Sequence, residues 1–131
     1  MSYTITQNRK NTSFVLHVSG ANTGNVIIAG NSIVSNVAMG NEILTGAYIC
    51  QVFVGHDGGT ADAGVQILRD NTLVASYDTA GYFDYSGAGM PLNVLPSGNL
   101  QIKFVGTSNA YCMIEMQKTG TLPSEYFGPQ P

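Results

Sequence analysis

Residues 54–65, VGHDGGTADAGV, gather side chains that could do chemistry. His56 could act as a base, and the carboxylates of Asp57 and Asp62 could bind a cation such as Ca²⁺. The spacing matches no EF-hand, because glycine and alanine stand at positions 3 and 5, where that loop needs oxygen ligands. Adjacent residues of a strand point to opposite faces, so His56 and Asp57 do not form a catalytic pair there. We interpret the stretch as a turn between strands and keep Asp57 and Asp62 as weak metal candidates.

A second cluster, YDTAGYFDYSGAGMP, begins with Tyr77 and holds three further aromatic residues in its glycine-rich part. Tyr82, Phe83 and Tyr85 could plug the end of a core, contact another protein, or stack on a sugar. Tyr, Ser and Gly dominate protein-contact loops, which favours the second interpretation as much as the first. Asp78 and Asp84 flank the aromatic residues and would suit a paired-carboxylate glycosidase, but no further feature of the sequence favours that reaction.

The remaining chemistry-bearing residues predict no enzyme and no cofactor. The chain contains no G-x-S-x-G, H-E-x-x-H or P-loop motif. Cys50 and Cys112 lie in apolar, strand-like runs, where cysteine is most often a small buried hydrophobic residue. The chain starts without a secretory signal, so we expect free thiols, with a disulfide as the alternative. His17 is expected on the polar face of a strand, without a metal.

The composition limits the partners. Charged residues make up 10% of the chain, against about 25% in ordinary globular proteins. A net charge of −3 argues against nucleic-acid binding, which needs a basic patch. No apolar run approaches the roughly 20 residues of a membrane helix, so no membrane partner is expected. A surface rich in Asn, Thr, Ser, Gln and Gly is typical of proteins that face other proteins or sugars.

Alternation of apolar and polar residues with period two dominates the sequence and predicts an all-β antiparallel sandwich. It places Leu100, Ile102 and Phe104 on one face of their strand. Segment 20–41 is interpreted as hairpins in series. Segment 43–54, apolar on both faces, is interpreted as a central strand or as a strand half covered by another subunit. Asp70-Asn71 suits a two-residue turn, and residues 96–99, PSGN, suit a four-residue turn. The predicted strands are YTITQ, SFVLHV, NVIIA, SIVSNV, LTGAYICQVFV, GVQILR, TLVASYD, PLNVL, LQIKFVG and YCMIEMQ.

The two ends differ from the body of the chain. Residues 1–11 are predicted to form an arm or an edge strand, residues 12–118 the sandwich, and residues 119–131 an extended arm. The last segment, TGTLPSEYFGPQP, has three prolines and therefore cannot be a central strand. Leu122, Tyr126 and Phe127 are its candidate anchors on a neighbouring protein, since aromatic side chains bury large areas. The alternative is an arm packed on its own domain.

Low charge, abundant Asn, Thr and Gly, short β-runs and extended tails together resemble small virion structural proteins of tailed bacteriophages. The stretch TGAYICQVFVGHDGGTADAGVQILRDNTLVASYDTAGYFD resembles the jelly-roll body of head decoration (cement) proteins and of small tail or fibre modules. The resemblance is one of style over the whole chain, without a motif that transfers functional residues. It implies a jelly-roll-like homo-oligomer in the virion, a trimer being favoured, bound to the major capsid protein or another virion protein. The alternative is a carbohydrate-binding module of a tail tip or surface complex.

Overall fold

The computed structural model describes residues 2–9, 12–21, 24–40, 42–56, 59–85, 97–107 and 109–121. These residues form nine strands and one helix. The elements in chain order are β1 (Ser2–Thr6), β2 (Ser13–Ala21), β3 (Gly24–Ile28), α1 (Gly30–Val37), β4 (Ile43–His56), β5 (Gly59–Arg69), β6 (Thr72–Tyr77), β7 (Gly81–Asp84), β8 (Leu100–Thr107) and β9 (Asn109–Thr121).

The strands form two antiparallel sheets that pack face to face, which confirms the predicted all-β sandwich. One sheet has the order β1-β2-β9-β4-β7 and the other the order β3-β8-β5-β6. The N-terminal segment is an edge strand, because β1 pairs with β2 along its whole length. At the other end β9 continues to Thr121 and pairs with β4, so residues 119–121 of the predicted arm belong to the sheet. The anchors Leu122, Tyr126 and Phe127 lie outside the described residues.

The core lies between the two inner faces, as the alternation predicts. Leu100, Ile102 and Phe104 of β8 are fully buried, while the intervening side chains of that strand face outward. Burying a large apolar side chain stabilises a fold by about 1.5–3 kcal/mol relative to leaving it exposed. Strand β4 has a partner on each side, but the middle strand of its sheet is β9.

The prediction of a strand at SIVSNV is wrong: residues Gly30–Val37 form helix α1. Hairpins in series over 20–41 are therefore also wrong, since a single strand, β3, precedes the helix. Ile33 and Val37 lie one helical turn apart and are both buried in the core. β-Branched residues favour strands intrinsically, but burial of one helix face overrides that weak preference. A segment of six residues with three apolar side chains is too short to distinguish the two structures by periodicity.

The predicted two-residue turn at Asp70-Asn71 is confirmed. Both residues have positive φ, 47° and 66°, as a type I′ turn requires. The Asp70 side chain accepts a hydrogen bond from the backbone of Asn99 at 2.8 Å, and the Asp70 amide donates to the Asn99 carbonyl at 2.9 Å. The turn is thereby tied to residues 97–99, the described part of the predicted four-residue turn.

Buried polar groups hold together the end of the sandwich that α1 covers. Lys118 of β9 and Glu42 form an ion pair at 2.9 Å, and both side chains are 0% exposed. Arg69 at the end of β5 is also buried and donates hydrogen bonds to the carbonyls of Ala47 and Gly98. These interactions connect both sheets with the segment that follows the helix. The residue types alone do not single them out, because each partner lies more than 20 positions away in the sequence.

Candidate functional site

Four rings form a continuous chain across the outer face of the five-stranded sheet. His17 meets Tyr111 edge to face with ring centroids 6.5 Å apart, and Tyr111 lies nearly parallel to Phe53 at 6.0 Å. Phe53 in turn contacts Tyr82 at 6.3 Å. The three carbocyclic rings are accessible, with exposed fractions of 38% for Tyr111, 43% for Phe53 and 55% for Tyr82. We call these four residues the aromatic strip.

The strand register explains why these residues meet. Met113 is opposite both His17 and Phe53, and Phe53 is opposite Tyr82. His17, Phe53 and Tyr82 therefore lie in one row of outward side chains, which passes through Met113 on β9. Tyr111 belongs to the next row on the same face, and its ring reaches Phe53 across the diagonal.

A polar row runs beside the aromatic strip. Its residues lie two positions away from the row of Phe53 and Tyr82, which corresponds to about 7 Å on the same face of a sheet. Gln51 of β4 is the centre of this row and is opposite both Glu115 and Asp84. The surface thus combines ring faces with carboxylate and amide groups, which can accept or donate hydrogen bonds at the edge of the strip.

Gly55 gives Tyr111 its position. The two residues are directly opposite each other on β4 and β9. A Cβ atom at position 55 would overlap the Tyr111 ring, so the ring lies over the bare backbone of the glycine. The strip is therefore built into the sheet, and one of its rings is seated before any ligand arrives.

Two depressions flank the strip. The smaller, about 200 Å³, lies between the rings and the polar row and is lined by Gln7, Val15, Gln51, Phe53, Tyr82, Met113 and Glu115. The larger, about 740 Å³, opens on the other side of Tyr111 and is lined by Ser19, Gly20, Gly55, His56, Ala80, Asn109, Ala110 and Tyr111. Desolvation and the nearby carboxylates of Asp84 and Glu115 raise the pKa of Tyr82.

The structure separates the three aromatic residues that the sequence grouped. Tyr82 points outward into the strip, whereas Phe83 and Tyr85 are partly buried and pack against the core. The Phe83 ring lies 4.6 Å from that of Tyr77, and the hydroxyls of Tyr77 and Tyr85 are hydrogen-bonded at 2.6 Å. Burial and that hydrogen bond raise the pKa of Tyr77. Phe83 and Tyr85 thus fit the core-plug interpretation, and only Tyr82 has the exposure that a contact residue needs.

The interpretation of residues 54–65 as a turn is wrong for most of that stretch, because β4 continues to His56 and β5 begins at Gly59. The His56 ring hydrogen-bonds through Nε2 to the backbone carbonyl of Asp78 at 3.1 Å. The side chains of Asp78 and Asp84 are exposed. No group of three or more His, Cys, Asp or Glu residues suited to hold a metal occurs in the part of the chain that the structure describes. Asp57 lies outside that part, as does the Asp62 side chain, so the cation site there stays a prediction.

The two cysteines are free and buried, as predicted. Cys112 is opposite Val54, whereas Cys50 lies in a bulge near the level of Met116 and Glu115. Three or four positions along β9 correspond to roughly 10–13 Å, more than the about 7 Å that a disulfide bridges. Burial raises the pKa of both thiols, that of Cys112 to about 12, which lowers their reactivity.

Phe53 and Tyr111, two of the four rings, were not singled out from the sequence. Alternation does place each on the face opposite its buried neighbours. What alternation lacks is the order of the strands, since β2, β9, β4 and β7 are far apart in the chain. His17 was expected on a polar face, and it does lie on the outer face, where its ring contacts Tyr111.

Comparisons with protein-family models, with curated proteins and with solved structures find no match to this chain. Among the described residues no helix is long and apolar enough to span a membrane.

Proposed function

We propose that this chain is a non-enzymatic structural protein of a bacteriophage virion that decorates the capsid and bridges neighbouring capsomers. Its partner would be the major capsid protein or another virion protein. It would act as a homo-oligomer, with a trimer favoured. The observation that carries the proposal is the strand order of the sandwich.

The strands pair as nested couples: β2 with β9, β3 with β8, β4 with β7, and β5 with β6. The couples alternate between sheets, giving the orders β2-β9-β4-β7 and β3-β8-β5-β6, with β1 added at one edge. We infer that the sandwich is a jelly roll, because folding a long antiparallel ribbon onto itself produces this nesting. Double-sheet jelly rolls build viral capsid and lectin domains, which is why the order supports a virion protein.

Exposed apolar side chains lie on several sides of the sandwich. Ile27 and Leu73 lie on the two opposite edge strands of the four-stranded sheet, and Met39 and Ile43 lie near α1; all four are exposed. Single exposed apolar side chains are ordinary on a protein surface, so these four do not by themselves identify a contact site.

The mechanism that we propose is mechanical. The sandwich is the rigid body, and the segment after Thr121 is the arm that adds contacts to the shell. Several weak contacts on one body raise the effective concentration of each further contact, so a modest arm can hold the protein on a shell. Packed DNA presses on the shell from inside, and the added buried surface resists that pressure without catalysis.

Co-sedimentation tests this function. Capsid heads are purified from the virus that encodes this chain. They are mixed with the full-length protein and with a variant that ends after Thr121, which keeps β9 complete. We expect the full-length protein to sediment with heads and the truncated protein to lose at least tenfold in affinity while keeping its circular dichroism spectrum. Equal binding of both proteins would refute the role of the arm. No binding of either to any virion part would refute the function.

A further inference from the structure

We propose that the aromatic strip and the polar row beside it form a carbohydrate-binding site that takes pyranose units of an oligosaccharide. This site is a property of the outer face of the five-stranded sheet. It goes beyond the structural role and does not depend on it.

Sugar recognition requires two kinds of group at once. A pyranose has an apolar C–H face, which packs on aromatic rings, and a rim of hydroxyls, which need donors and acceptors. Ligand sites generally combine apolar and aromatic walls with a few placed polar groups. The depression of about 200 Å³ has this composition: Phe53 and Tyr82 supply rings, Glu115 supplies a carboxylate, and Gln7 and Gln51 supply amides.

Phe53 is the centre of the proposed site. Its ring contacts both Tyr82 and Tyr111, and its residue is next but one to Gln51 on the same strand. A sugar stacked on Phe53 would therefore bring its hydroxyls towards the polar row about 7 Å away. A carboxylate such as that of Glu115 accepts hydrogen bonds from two hydroxyls, and hydrogen bonds to a charged group are stronger than neutral ones.

The strip is longer than one sugar ring, because it crosses four strands spaced about 4.8 Å apart. The rings from Tyr111 to Tyr82 could hold successive units of a chain. Tyr111 is seated over Gly55, so part of the ordering that binding requires is already present.

A sugar is a better ligand for this surface than a protein partner that would bury it in the core of an interface. Fully buried interface cores are depleted of charged residues. Burial of the strip under a protein would also bury the adjacent carboxylate of Glu115, at a cost unless a cation pairs with it. A hydroxyl-rich ligand satisfies the same carboxylate without a cation.

A printed array of bacterial and mammalian oligosaccharides, probed with the full-length labelled protein, tests the site. Calorimetry then measures the affinity of each hit for the wild type and for four variants. We expect Phe53→Ala to weaken binding at least tenfold and Glu115→Gln to weaken it several-fold. Two control variants should bind as the wild type does: Leu73→Ala, which truncates an exposed apolar side chain on the other sheet, and Tyr85→Phe, which changes a partly buried residue.

A blank array would overturn the proposal, as would hits whose affinity Phe53→Ala leaves unchanged. Light scattering tests whether a second copy of this chain covers the strip instead. A wild-type oligomer that Phe53→Ala converts to monomers would mean that it does, and this result would also overturn the proposal. Binding to sugars by a protein that does not associate with virions would sustain this site while refuting the structural function.

Discussion

Replacing Lys118 with methionine should destabilise the fold severely. The Lys118 ammonium lies 2.9 Å from a carboxylate oxygen of Glu42, and neither side chain is exposed to solvent. Methionine has a similar length and fills the same space, so the change isolates the charge. It removes the cation while the Glu42 carboxylate stays buried, where it also accepts a hydrogen bond from the Met39 amide at 2.8 Å.

Breaking a buried ion pair by removing one partner costs about 3–5 kcal/mol, since it leaves a buried charge uncompensated. Small domains have a total unfolding free energy of about 5–15 kcal/mol, so Lys118→Met should remove roughly a fifth of it or more. At a urea slope of about 2 kcal/mol per molar, the unfolding midpoint should fall by roughly 2 M.

Urea unfolding followed by circular dichroism measures this effect, with two matched controls. Lys103→Met removes a cation from the outer face of the four-stranded sheet and should change the free energy of unfolding by less than about 0.5 kcal/mol. The double variant Glu42→Gln with Lys118→Met removes both charges and keeps an acceptor for the Met39 amide. It should recover most of the loss, because replacing both partners of a buried pair is often nearly neutral. A Lys118→Met midpoint equal to that of Lys103→Met would refute the reasoning.

Three further predictions concern a turn residue, a glycine packed against backbone, and a buried thiol. Asn71→Val should lower the unfolding free energy by about 1–2 kcal/mol, because a β-branched residue is strained at a φ of 66°, while Asn71→Gly should not; equal thermal midpoints would contradict this. Gly30→Ala should cost about 1–3 kcal/mol in urea unfolding, since its Cβ would overlap the backbone carbonyl of Ser97; unchanged stability would mean that no such packing exists. Burial raises the pKa of Cys112 from 9.0 to about 12. Between these two pH values the folded chain keeps a proton that the unfolded chain has lost. The free energy of unfolding should therefore fall as pH rises through this range. Urea midpoints at pH 8 and pH 10.5 measure that fall in the wild type against Cys112→Ala; an equal fall in both would exclude Cys112 as its cause.

Local patterns predict much of this fold. Period-two alternation identifies every described strand except β7, whose residues are expected in a glycine-rich loop, and assigns Leu100, Ile102 and Phe104 to the core face. Asp70 and Asn71 tolerate positive φ, which makes their hairpin recognisable without a structure. Helix α1 escapes such reasoning, since its short apolar run is compatible with a strand and its helical state depends on burying Ile33 and Val37.

The candidate site depends on long-range pairing, which local patterns do not contain. Tyr82 was recognisable from its cluster, but its neighbours in the strip come from three other strands. Lys118 illustrates the same limit in the core: alternation gives it the inward parity of Met116, yet its partner Glu42 lies 76 positions away. Only the order of strands in the sheets brings such residues together.

Quantitative mass spectrometry of particles of the virus that encodes this chain tests the virion structural role most directly. Particles are purified by density gradient, and the copy number of this chain is compared with that of the major capsid protein. A virion structural role predicts that the chain co-purifies with intact particles at a fixed ratio to the capsid protein, through repeated gradients and high salt. A chain that is abundant in the producing cells but missing from the particles would contradict the account.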